Sequence, residues 1–551
     1  MKRSFITMVL CAAVLLMPHA PAGAEKDAAL PREALETLRH LAIQHNGRHK
    51  PLDSFARETL QLITGSPRVG HEDPVVTVLS MMANPARWQD APLVDVPFIP
   101  LREALGLDRK TAHVSYNQLV ETRTLMRMLP AIVEKQQREE KLSMLEQETM
   151  DAYERFVVLS GLMEQKLSLV PPPSMAERSW LPILEPLGYV QEQQATLRSA
   201  WTTCLTAVRD GQPHALTASA RRLAEVLQAA NPAAYPARWR LRLEVLYNHV
   251  GPFRIARIIY LLTALMFVVG LSVSLRQLPT LARGTLALGF GVHGAGILTR
   301  IVLGGRPPVS NFYETTLWLP FVAVLLALIF ERVYRVSFFG LAASLLAAIT
   351  LFLADHLPLD SSISPVVAVL RSNLWLTVHV LTIVASYGAL ALATVLAHLY
   401  GWMDLVRAGK HPALASLEAF LYRTIQVGVV LLAGGIMLGA VWANASWGRY
   451  WGWDPKETWA LITLLWFLAI LHGRFAGWLK GVGMALSTIG GFALLLMTYY
   501  GVSFYLVGLH SYAGGHAKPL PPLLIAYLIA EAAFIALVGF SAMNRKPRPL
   551  S

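Results

Sequence analysis

Charge is scarce in this chain: Asp, Glu, Lys and Arg make up 15 % of its 551 residues, hydrophobic types make up 54 %, and the mean hydropathy is +0.43. That balance excludes an ordinary soluble enzyme and reads as a membrane protein. The net charge is +12, yet the basic residues are spread along the chain and flank apolar runs without forming one patch. Nucleic acid is therefore not an expected partner, and the pattern is that of a chain holding its orientation in a bilayer. Cysteine is nearly missing too. Of the two, Cys11 lies in a segment with a basic start (Lys2, Arg3), an apolar run from Phe5 to Met17 and the small residues Ala22, Gly23 and Ala24. Residues 1–24 read as a cleavable secretory signal or an uncleaved N-terminal anchor, and either one exports the residues next in the chain. With the signal removed, Cys204 is the one thiol left, which excludes an internal disulfide, a Cys-x-x-Cys redox pair and a Cys-ligated zinc site. Internal repeats and low-complexity segments are absent as well.

What remains falls into two parts. Residues 25–250 are mixed in polarity, with helical periodicity and a Pro-rich break at Pro171, Pro172 and Pro173, and are expected to form a mainly helical extracytoplasmic domain. Residues 251–551 contain nine apolar stretches of bilayer-spanning length, near 253–275, 284–303, 312–331, 336–354, 374–401, 419–442, 457–473, 481–507 and 521–543,. The expected fold class is an all-α polytopic membrane protein with about nine transmembrane helices. Alternate loops carry Arg276, Arg283, Arg332, Arg335, Arg407, Lys410, Arg474, Lys480, Arg545, Lys546 and Arg548, against Arg306, Arg371, Arg449, Lys456 and Lys518 on the other side. By the positive-inside rule the second set faces outward, to the periplasm of a bacterial inner membrane, on the same side as the exported domain. Arg254 and Arg257 run against the rule, but they come directly after a long exported domain, where it is weak.

The outward loop before the seventh span is the densest aromatic segment in the chain. "WGRYWGWDPKETW", Trp447 to Trp459, places four tryptophans in thirteen residues, and Trp442 lies just upstream. An interfacial aromatic belt scatters one or two tryptophans per helix end, so this cluster asks for another reason. The start of the following helix is well specified. Asp454 can cap, Pro455 suits the first helical position and Glu457 completes a capping box. On the same outward level lie His379, five residues into one span, and His510, at the end of another. Intramembrane ionisable groups are costly and are functional candidates by default. Two imidazoles beside an indole shelf suit a flat apolar macrocycle whose metal takes axial nitrogen ligands, which is haem, with Arg449, Lys456, Arg371 or Arg306 as partners for its carboxylates. Zinc fits less well, wanting further ligands and having no use for indoles. A second, deeper pair, His293 and His472, is a candidate for a haem within the bilayer, glycines around His293 permitting close approach. Hydrogen bonding between helices is an equal reading of His293 and the lesser one for His472, and His398 ranks below both.

The segment "GAVWANASWGRYWGWDPKETWALITLLWFLAILHGR" resembles the tryptophan-rich WWD segment of the haem-handling proteins of cytochrome c maturation, most closely the CcsA (ResC) type of system II. "NLWLTVHVLTIVASYGAL" and "YYGVSFYLVGLHSY" resemble that family's two flanking external-histidine motifs, in the same order, and the resemblance covers about residues 253 to 543. It implies export of haem b to the outer face and its covalent attachment to apocytochrome c bearing Cys-x-x-Cys-His, a holocytochrome c synthase activity. Carried over by position, His379 and His510 are the external haem ligands and the catalytic pair. Trp447, Arg449, Trp451, Trp453 and Asp454, with Trp459 beside them, form the haem platform, and His472 is one ligand of the intramembrane haem. His293 is placed as its partner by depth alone. The implied partners are the apocytochrome, thiol-reducing proteins acting on it and a ResB/CcsB-like subunit. Nothing before residue 250 resembles that subunit's membrane helices, whereas "QHNGRHKPLDSFARETL" and "YNHVGPFRIARIIYLL" resemble segments of family members with an exported extension. Thioether formation requires only that haem and peptide be positioned and the iron kept reduced, which agrees with the missing cysteine pair. Two other classes stay open: a diheme b-type electron carrier, with His379 and His398 on one helix, and a haem transporter or chaperone without ligase activity.

Overall fold

Gly251 has a left-handed backbone (φ +58°) and Pro252 stands next, at the first position of another helix, so one helix stops and another starts at the point where the chain divides into two compact units, before and after Val250/Gly251. The computed structural model describes residues 30–273, 277–357, 359–365, 374–510 and 520–545. The expected signal segment with Cys11, and the loop residues Arg276, Arg371, Lys518, Lys546 and Arg548, lie outside the described residues.

The first unit is mainly helical, with three two-stranded antiparallel sheets among its described residues. Strands β1 (Ala42–His45) and β2 (Arg48–Pro51) pair across Asn46-Gly47, both at positive φ, the conformation that Asn-Gly supplies in a two-residue hairpin turn,. Helix α1 (Leu52–Thr64) comes next, and α2 (Met144–Met163), α3 (Gln191–Arg209) and α4 (Pro213–Ala230) pack with it around a core that includes Phe55, Leu60, Leu159, Trp201 and Leu223. A polar network ties the hairpin and α1 to α5 (Arg238–Val250). Arg48 donates to both oxygens of Glu244 at 2.7 Å, Ser54 donates to the same carboxylate at 2.6 Å, Asn248 donates to Asp53 and Ser54, and buried Lys50 pairs with Glu58.

The second unit is the membrane part. Its helices are α6 (Pro252–Ser272), α7 (Leu278–Gly304), α8 (Phe312–Tyr334), α9 (Phe338–His356), α10 (Leu374–Arg407), α11 (Leu414–Trp447), α12 (Pro455–Phe475), α13 (Val482–Tyr505) and α14 (Pro522–Met543). Nine helices among the described residues are long and apolar enough to cross a membrane, as expected from the nine apolar stretches. Helices α10 and α11 pack along their length, and the cause is a row of glycines. Added Cβ atoms at Gly428, Gly435 and Gly439 of α11 would come within 2.5, 2.9 and 2.6 Å of Leu390, Ile383 and His379 of α10. Small residues let membrane helices approach closely where lipid supplies no hydrophobic drive. Gly388 repeats the device toward α8, where a Cβ would lie 2.6 Å from the Leu319 carbonyl oxygen.

Candidate functional site

The glycine row ends at a histidine. His379 lies against Gly439, and its Nδ1 is 2.8 Å from the Gly435 carbonyl oxygen. A carbonyl only accepts, so Nδ1 carries the proton and Nε2 keeps its lone pair. No partner for Nε2 exists among the described residues. The Trp442 indole of α11 lies parallel to the imidazole, with centroids 6.2 Å apart and 8° between planes.

His510 is fixed from the tryptophan loop. Asp454 caps α12 with the expected capping box: its Oδ2 accepts from the Lys456 N–H at 3.0 Å, and Glu457 Oε2 reaches back to the N–H groups of Gly452 and Asp454. Trp453, with φ +56°, makes the turn into the cap. The same carboxylate accepts from the Leu509 N–H at 2.7 Å and from His510 Nδ1 at 2.8 Å. Gly508 makes this approach possible, since a Cβ there would fall 2.5 Å from Asp454 Oδ1. A carboxylate on Nδ1 again leaves Nε2 as the free nitrogen, the arrangement by which metal-ligating histidines are oriented and made more basic. Burial works against the Asp454 charge but is outweighed by the His510 hydrogen bond and charge and by the backbone donors, which hold its carboxyl below the ordinary carboxylate range. Trp442 also meets His510, at 5.9 Å, and Trp447 lies 4.7 Å from Trp442 and 5.7 Å from His510. One indole therefore touches both imidazoles.

Both histidines line a cavity of about 800 Å³, together with Trp442, Trp447, Trp451, Tyr450, Tyr499 and Lys456. That volume lies in the range of cofactor pockets, roughly 300–1,000 Å³. The donor set fits haem: two imidazoles whose Nε2 atoms are free, aromatic walls and a cation. Among the described residues no cluster of three or more His, Cys, Asp or Glu could hold a bare metal ion. In the wall, Tyr499 bonds to the hydroxyls of Thr315 and Thr316 at 2.9 and 3.0 Å and stacks on Phe312, in a π-helical turn (Met497–Gly501) of α13. Such turns recur at functional sites.

Other candidates from the sequence lie elsewhere. Arg449 is exposed, its guanidinium folded over Gly452, and it does not line the cavity. Trp453 is 70 % exposed and packs on Trp451, while Trp459 contributes its carbonyl to Thr463 and Thr498, away from the lining. Arg306 does line the cavity, but Glu314 and the Ser364 carbonyl hold it, at 2.7 and 2.8 Å. The deeper pair is not brought together. His293 is fully buried among Phe253, Tyr260 and Phe321, leaving no open face for a macrocycle, whereas His472 is exposed near the end of α12 with Nδ1 on its own helix carbonyl. Depth along two helices did not decide which faces they present. His398 is engaged by Glu531 at 2.9 Å and by the Thr394 carbonyl. Sequence reasoning passed over Gly435, Gly439 and Tyr499, and it did not single out Trp442 as the shared neighbour. The spacing of the glycines opposite His379 was the available signal.

A family model described as cytochrome C assembly protein matches residues 309–510, which span both histidines and the tryptophan loop. Protein NrfI of Wolinella succinogenes is 31 % identical over 504 residues, 86 % of this chain. The chain spans 54 % of NrfI, about half its length. Cytochrome c biogenesis proteins CcsA of Prochlorococcus marinus (strain MIT 9301) and of Guillardia theta are each 36 % identical, over 246 and 242 residues, 39 % of this chain and 79 % of each relative.

Proposed function

The chain belongs to the cytochrome c assembly family of the CcsA type, and from that premise we propose that it presents haem b at the outer face of a bacterial inner membrane and joins it to apocytochrome c. One observation carries the reading: His379 and His510, each with Nδ1 committed and Nε2 free, line one aromatic cavity and share the Trp442 indole. The loop charges support an outward, periplasmic position for that cavity and for residues 25–250.

The chain's part in the chemistry is positioning. Each cysteine S–H of a Cys-x-x-Cys-His peptide adds across a vinyl C=C of the haem, sulfur to one carbon and hydrogen to the other, so no group leaves and no electrons are lost. His379 and His510 hold the macrocycle, the indoles cover its faces from water, and the histidine of the peptide displaces one of the two imidazoles, committing haem to the product. A ResB/CcsB-like subunit and thiol-reducing proteins for the apocytochrome complete the set of partners. The engagement of His398 with Glu531 and the enclosure of His293 favour this reading over a diheme electron carrier, which needs a further pair of free imidazoles.

The test is to express the full chain with an apocytochrome, record its Soret and reduced spectra, and measure haem that survives acid–acetone extraction of the cytochrome. His379→Ala and His510→Ala are expected to lose the bis-imidazole spectrum and most cytochrome assembly, with added imidazole restoring part of both. Assembly unaffected by either substitution removes the assigned roles. Bound haem without extraction-resistant product makes the chain a carrier and not a ligase.

A further inference from the structure

Two cations line the cavity, and they are held differently. Arg306 is committed to Glu314, which also takes Arg300 at 3.0 Å, and to the Ser364 carbonyl. Lys456 has no ion pair among the described residues. Its ammonium donates to Ser503 Oγ at 2.8 Å and to the Tyr499 carbonyl at 3.2 Å, and lies 5.9 Å from the Tyr499 ring centroid. An ammonium has three N–H groups, so one is unaccounted for. The two carboxylates next to it in sequence are engaged elsewhere, Asp454 by His510 and the N–H groups of Lys456 and Leu509, Glu457 by the N–H groups of Gly452 and Asp454. A cation taken out of water without a counter-charge is costly. The missing anion is to be sought in whatever fills the cavity.

Resting on the haem reading, we propose that Lys456 receives a carboxylate of the macrocycle and so sets which edge of the ring enters the cavity. Haem b carries both of its carboxylates on one edge and its vinyl groups elsewhere on the ring. Pinning the acidic edge at Lys456 fixes where the vinyls stand relative to an arriving thiol. Lys456 is two residues from the carboxylate that orients His510, and both belong to one capped helix start, so iron ligand and anion anchor keep a constant separation. Lys456 is a positioning residue on this account, recognising the part of the substrate that does not react.

The experiment titrates the full-length protein in detergent with haem and with its dimethyl ester, in which both carboxylates are masked, following the Soret band. The native chain is expected to bind haem roughly 10–100-fold more tightly than the ester, the range for a charge-assisted hydrogen bond. Lys456→Gln is expected to lose most of that preference by weakening haem, with ester affinity unchanged within about a factor of two, and Lys456→Arg is expected to keep it. Full discrimination retained in Lys456→Gln overturns the assignment while leaving the haem reading intact. Equal affinity of the native chain for both compounds overturns it as well, even if the variant does not fold. A native chain that binds neither compound overturns both.

Discussion

Asp454 makes three kinds of contact at once, capping α12, receiving the Leu509 N–H and orienting His510. Its carboxyl is held below its ordinary value near 3.8. A depressed carboxyl stabilises the fold above its unfolded pKa and loses that contribution only as pH falls through the lower folded value, so the hold on His510 persists through neutral and mildly acidic conditions. Asp454→Asn separates the roles, because Asn caps a helix about as well as Asp. Its amide can, however, turn an N–H toward His510 Nδ1, which moves the imidazole proton onto Nε2 and blocks ligation. The expected result is a 10–100-fold weaker haem affinity, typical of losing a ligand's orienting partner, with helix content by circular dichroism unchanged; unaltered affinity would show that Asp454 serves the cap alone. At this scale the sequence was legible where chemistry and rule coincide: two histidines, the cap and the cluster of indoles. It was not legible for Arg449, Trp453 and Trp459, because a run of neighbours in a turn points in several directions and composition does not say which of them face inward.

Helix α11 shows how an element places a histidine. Glycines at 428, 435 and 439 fall on one side, and α10 lies so close that the Gly435 carbonyl meets His379. Gly439→Ala would set a methyl 2.6 Å from His379 Cε1, displacing the ring with little change elsewhere. Haem binding in that variant is expected to fall with a loss of the bis-imidazole spectrum, while Gly434→Ala, on a glycine whose added Cβ meets nothing within 4 Å, leaves the spectrum as it was; visible spectroscopy of the two purified variants decides. The nine spans were readable because apolar length is set by the bilayer. Rotation about each helix axis is set by packing, and a span apolar on all sides carries little record of it. For that reason depth alone did not show that His293 is enclosed and His472 exposed.

The two units of the chain hold themselves together by different means, the membrane unit by close-packed small residues and the first unit by a core with an ionic clasp. In the latter, Cys204 is buried on α3 and its thiol is pushed up to about 11, burial being the main cause. The folded state therefore keeps a proton that the unfolded state sheds near 9, and the thiol's contribution to stability is present below that and lost as pH rises toward 11,. In the full-length chain at about pH 8, below either value, Cys204 is expected to resist iodoacetamide until the unit opens. Glu244→Ala leaves Arg48 without its partner, a loss of about 3–5 kcal/mol for a buried pair, and should raise labelling of the Cys204 peptide by roughly 100-fold or more in mass spectrometry, at about 1.4 kcal/mol per tenfold. Equal rates would mean the clasp does not hold the unit closed. The start of α12 has a wider consequence. With Asp454 and Lys456 in one capped helix start, the proposed assignment gives the site its own gauge: a guest would be admitted by the span from its metal to its acidic rim, and tetrapyrroles whose side groups sit elsewhere on the ring would be turned away before any bond is made.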